Sequence, residues 1–110
     1  MNRLDSIVNG PADQGVQPKI TCADGFTLSV QASYGHYCSP RPPFTKSAHT
    51  AWRGPYTAVE VGYPSEQPEP WSDWLQLSEQ FSGNPTHETV YGFVPVQMVR
   101  DLIALHGGER

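Results

Sequence analysis

The stretch "KITCADGFTLSV", Lys19 to Val30, decides how this chain folds. It holds two short apolar runs around Ala23-Asp24-Gly25, the pattern of a β-hairpin. Two turns compete. A two-residue Asp-Gly turn would set Ile20 opposite Ser29 and Cys22 opposite Thr27. A three-residue loop, with Gly25 in the left-handed conformation, sets Cys22 opposite Phe26 and Ile20 opposite Leu28. Only the second register gathers the large apolar side chains, Val30 included, on one side. A slip of one residue would put half of them in water. The three-residue loop is therefore expected, with two antiparallel strands sharing one buried face.

Further strands and helices follow the hairpin. "YTAVEVGY", 56 to 63, alternates Thr57, Val59, Val61 and Tyr63 against Ala58, Glu60 and Gly62, which predicts a third strand ended by Pro64. "PWSDWLQLSEQF", 70 to 81, places Trp71, Trp74, Leu75, Ser78 and Phe81 on one helical face. Pro70 suits the first turn of that helix, and Glu69 and Asp73 favour its positive end. "ETVYGFV", 88 to 94, predicts a fourth strand with Val90 and Val94 opposed to Tyr91 and Phe93. "PVQMVRDLIALHGG" predicts a second helix with Val96, Val99, Leu102, Ile103 and His106 along its apolar stripe and Gly107 as terminator. Before the hairpin, Gly10-Pro11 and Gly15 interrupt any period, so residues 1–17 are expected to form a flexible N-terminal arm. The fold class that results is α+β: a single domain over 18–110, with a mostly antiparallel sheet of about four strands and two helices packed on one face.

Composition narrows the function. The chain has 110 residues, enough for one domain with a modest core. Eleven prolines and ten glycines imply many turns, and the 11% aromatic content argues against a disordered chain. There is neither an apolar run of bilayer length nor a secretory leader, so a cytoplasmic location is expected. In that reducing compartment Cys22 and Cys38 are expected as free thiols. The formal net charge of −4 conceals an asymmetry. Between Asp24 and Glu60 lie Arg41, Lys46 and Arg53 and no acid; between Arg53 and Arg100 lie Glu60, Glu66, Glu69, Asp73, Glu79 and Glu88 and no base. Such segregation can set opposite potentials on two faces.

The base-rich segment is a long loop, 34–55, with four prolines that preclude regular structure. Tyr34, His36, Tyr37, Arg41, Lys46, Trp52 and Arg53 are its candidate binding residues: aromatic rings to stack, cations to meet carboxylate or phosphate. The acidic half supplies a second set, Glu69, Trp71, Asp73 and Trp74, a tryptophan-bearing helix suited to a protein interface. Each set has an unremarkable alternative, in which the rings cover the core and the charges are solvated. Duplex nucleic acid is not expected of a negative domain. A nucleotide held by Tyr34, His36, Tyr37 and Arg41 stays open, as does a homodimer. No nucleotide-binding glycine string or paired zinc-ligand spacing occurs, and neither a cofactor nor a metal is expected. A Cys38-centred enzyme is the weakest reading, because any chain of this size offers such a trio.

"ITCADGFTLSVQAS", "YCSPR", "PYTAVEVGYPS" and "ETVYGFVPVQMVRDLIALHGG" resemble segments of small orphan proteins carried by bacteriophages and prophages. The resemblance covers most of the chain apart from the arm, the 42–54 insertion and the tryptophan helix. It implies an anti-defence role in the host cytoplasm: an inhibitor that blocks a host defence protein such as a CRISPR effector, or one that sequesters a nucleotide signal. It assigns no role to any residue.

Overall fold

In a computed structural model of the chain, residues 2–42, 51–79 and 89–110 are described. The hairpin is built on the three-residue loop. β1 (Ile20–Thr21) pairs with β2 (Thr27–Gln31) in the register Ile20↔Leu28, and the Cys22 amide donates to the Phe26 carbonyl at 2.8 Å. Gly25 takes φ +97°, the left-handed conformation this loop demands. Ile20, Leu28 and Val30 are accordingly all buried.

Among the described residues the sheet has five strands in the order β1-β2-β3-β5-β4, and every neighbouring pair is antiparallel. β3 (Ala58–Gly62) lies between β2 and β5 (Val90–Pro95), and β4 (Ser78–Glu79) forms the far edge. The described residues include three helices: α1 (Arg3–Val8), α2 (Trp71–Leu75) and α3 (Val96–Leu105). Leu4 and Ile7 of α1, Trp74 of α2, and Val99, Leu102 and Ile103 of α3 join one core with Leu28, Val30, Val59, Val61, Tyr91 and Val94 of the sheet. The α+β class holds, with one strand and one helix more than the sequence suggested. None of these helices is long and apolar enough to cross a membrane.

Residues 3–8, within the expected arm, are helical and packed. The Asn2 Oδ1 accepts the Asp5 amide at 2.8 Å, an N-cap, and Leu4, Ile7 and Val8 turn one buried face to the core. The chain then runs beside 52–56, where the Tyr56 amide donates to the Val8 carbonyl at 2.9 Å and the Ala12 amide to the Trp52 carbonyl at 3.1 Å.

The tryptophan helix is shorter than its periodicity suggested. It ends at Leu75, and Ser78 and Glu79 become a strand because β5 offers an open edge: Ser78 pairs with Tyr91, Glu79 with Val90. Residues 80 and 81 of the expected helix, and Glu88 of the expected strand, lie outside the described residues. Tyr63 leaves the buried face its alternation predicted, because its φ of +48° turns it out and leaves it 52% exposed.

β5 contains the most consequential departure. Val59 pairs with Val94 but Val61 pairs with Tyr91, so Gly92 and Phe93 together face the single residue Glu60. This is a β-bulge. It puts Tyr91 and Val94, three residues apart, both in the core, and it turns Phe93 (φ +52°) outward. Simple alternation, which opposed Val94 to Tyr91, fails at that inserted residue.

Candidate functional site

The outer face of the sheet is the face turned away from the core. In β2 and β3 it carries Ser29, Gln31, Glu60 and Gly62, which alternate with the buried Leu28, Val30, Val59 and Val61. β5 adds Val90 and Gly92.

The loop after β2 crosses this face at the bulge. The bulge frees the Phe93 amide from the ladder, and that amide donates to the Tyr37 carbonyl at 3.0 Å. The Tyr37 amide in turn donates to Glu60 Oε1 at 3.1 Å. These two bonds bring the Tyr37 ring beside Phe93, with centroids 5.9 Å apart and planes 29° from parallel. Gly92 makes the crossing possible. A Cβ at that position would lie 2.8 Å from Glu79 Oε1, displacing that carboxylate, and 3.3 Å from Tyr37 Cβ, a tight contact. Tyr37 and Phe93 remain 40% and 42% exposed, and Glu60 and Glu79 are half-buried beside them. The site is therefore two outward aromatic rings and two carboxylates around a glycine floor.

The sequence candidates divide on inspection. Tyr34, Tyr37, Arg41, Arg53, Glu69 and Asp73 are exposed and His36 is half-buried, with its Nδ1 held 2.7 Å from Ser33 Oγ. Lys46 lies outside the described residues. Trp74 is not a surface anchor: it is fully buried and meets Tyr91 edge-on at 5.3 Å. Its helical spacing reflected a core face. Trp71 and Trp52 are half-buried against the same core, and Trp52 packs on Tyr56 at 5.1 Å. Of the two sets, only Tyr37 stands in the aromatic–carboxylate site. Glu60 and Glu79 counted only among the acids of the acidic half, and Phe93 only as a strand residue, so none was a candidate binding residue, although a glycine inside a strand pattern is itself a signal for a bulge.

The nucleophile candidates are enclosed. Cys22 and Cys38 are free, fully buried thiols. Burial pushes both thiols up, with Asp24 and Glu109 adding to the effect at Cys22. Cys38 donates its S–H to the Ser33 carbonyl at 3.2 Å. His106 is clamped by Asp24 at 2.7 Å and stacked on Phe26 at 3.9 Å, which makes it part of the packing. Among the described residues, no three His, Cys, Asp or Glu side chains gather as a metal site would need.

No protein-family model, curated protein or solved structure matches the chain.

Proposed function

We propose that this chain is a binding module, and that the outer sheet face around Tyr37 and Phe93 docks on a basic surface of a partner protein. The observation that carries the reading is the exposed Tyr37–Phe93 pair beside Glu60 and Glu79, in a half of the chain, 54 to 99, without lysine or arginine. Aromatic anchors bounded by charge are where interface energy concentrates, and complementary potentials set specificity and association rate. The exposed Glu66, Glu69 and Asp73 extend the negative charge in sequence around the site.

The resemblance to phage accessory proteins makes the expected partner a host defence protein, and the chain an inhibitor that needs no catalytic group. CRISPR effectors hold their heteroduplex in a positively charged channel, a surface that an acidic aromatic face can cover. Sequestration of a nucleotide is the weaker reading: Glu60 stands at the Tyr37 amide, and its charge would repel a phosphate there.

The test is binding of the purified chain to purified CRISPR effectors, measured by biolayer interferometry with and without bound guide RNA. Wild type is expected to bind, and Tyr37→Ala and Glu79→Lys to bind at least tenfold more weakly while keeping the wild-type circular dichroism. Equal binding by folded variants would overturn the assignment of this face.

A further inference from the structure

Neither Glu60 nor Glu79 has a cationic partner among the described residues, where the two ion pairs are Arg100–Asp5 and His106–Asp24. Glu60 spends one oxygen on the Tyr37 amide. No hydrogen bond to the Glu79 carboxylate is found among the described residues, although Glu79 is half-buried. Half-buried carboxylates favour a counter-charge, because the partly desolvated setting strengthens the attraction.

The rings add a geometric requirement. Tyr37 and Phe93 are exposed beside the two carboxylates. A guanidinium can lie flat against a ring and still donate in its plane to a carboxylate, whereas an ammonium is a compact, strongly hydrated point charge. Gly92, with no side chain of its own, lets the Glu79 carboxylate and the base of Tyr37 lie close over the strand.

We infer that the face takes an arginine side chain from a basic segment of the partner protein, its guanidinium reaching Glu60 and Glu79 and its plane resting against Phe93 and Tyr37. This rests on the reading of the outer face as the docking surface, and it names what that surface recognises.

The experiment titrates the isotope-labelled full chain with three short peptides of equal length, rich in arginine, in lysine or in uncharged citrulline, and follows the amide signals. The arginine peptide is expected to move the signals of Glu60, Gly92 and Phe93, the lysine peptide to bind several-fold more weakly, and the citrulline peptide to leave them in place. Glu79→Gln is expected to weaken the arginine peptide about tenfold. Phe93→Asn is expected to bring arginine down to the lysine level, and asparagine tolerates the positive φ that this position requires. Equal binding of arginine and lysine peptides, or shifts confined to other residues, would overturn the inference. So would a dimer in sedimentation that Glu79→Gln dissolves, since the occupant would then be a second copy. If effector binding still depends on Tyr37 while the arginine peptide fails, this inference falls and the docking face stands; if neither depends on these residues, both fall.

Discussion

Phe93 is a bulky side chain on a left-handed backbone, φ +52°, a conformation that costs an L-residue about 1–2 kcal/mol. The offset contact with Tyr37 returns about 0.5–1.5 kcal/mol of that. The two nearly cancel, so the ring adds little to stability. Phe93→Asn is therefore expected to leave the unfolding free energy within about 1 kcal/mol of wild type, measured in urea, while it removes the aromatic wall of the site. Tyr56 is the converse case. Its hydroxyl is buried without a hydrogen-bond partner among the described residues, and an unsatisfied hydroxyl costs about 1–3 kcal/mol. Tyr56→Phe is expected to raise stability by about 1 kcal/mol. Burial also pushes the Tyr56 and Tyr91 hydroxyls from 10.0 to about 12. The unfolded chain releases those protons near pH 10 while the folded chain keeps them, so stability falls as pH rises from 10 towards 12. Denaturant midpoints across that window should show the decline, and it should be shallower in Tyr56→Phe.

The hairpin and the last helix hold each other at their ends. α3 closes in a Schellman motif: the Gly107 amide donates to the Ala104 carbonyl at 3.0 Å and the Gly108 amide to that of Ile103 at 2.9 Å. Gly107 has φ +91°, and a Cβ there would meet Ala23 of the hairpin loop at 3.0 Å. Gly107→Ala is expected to cost about 1–2 kcal/mol, read from the urea midpoint. On the loop side, Asp24 accepts the Phe26 amide at 2.9 Å and pairs with His106. The Phe26 amide and then the His106 side chain hold the Asp24 carboxyl below its ordinary value. A depressed carboxylate stabilises the fold above its unfolded pKa and loses that contribution as pH falls through the folded one. The melting temperature of Asp24→Asn should therefore lie below wild type at neutral pH and converge with it below the usual carboxylate range. These two elements were legible because their signals are local. Asp-Gly with flanking apolar pairs fixes one loop, and Gly107 follows a continuous apolar stripe. α1 lies in the stretch expected as an arm, because Gly10-Pro11 and Gly15 interrupt its period; the Asn2 cap and the buried face of Leu4, Ile7 and Val8 emerge only once the helix packs on the core. β4 was not legible, because its helical spacing is overridden by pairing with β5, an interaction distant in sequence. The same holds for the site. Tyr37 stood out as an aromatic in an acid-free segment, but its neighbours Glu60, Glu79 and Phe93 come from three strands and meet only because a bulge shifts the register.

The charge asymmetry visible along the chain acquires a spatial meaning at the scale of the molecule. β3, β5 and β4 form one half of the sheet and, with α2 between β3 and β4 in the chain, carry acids without bases, and the outer face of that half holds the aromatic pair. Charges of this kind act at two ranges. Glu66, Glu69 and Asp73 are exposed and touch none of the site residues by a described hydrogen bond or ion pair, so their contribution is to the field that guides encounter. Glu79 and Phe93 sit where a bound side chain would rest, and their contribution is to how long it stays. Neutralising Glu66, Glu69 and Asp73 together is therefore expected to slow association with a basic partner several-fold and to flatten its dependence on salt, with dissociation nearly unchanged. Glu79→Gln is expected to do the reverse, hastening dissociation at every salt concentration with little change in the association rate. Surface-plasmon kinetics across a salt series separate the two. If the exposed acids instead govern dissociation and Glu79 governs only encounter, the site lies on the acidic rim rather than on the bulged face of the sheet.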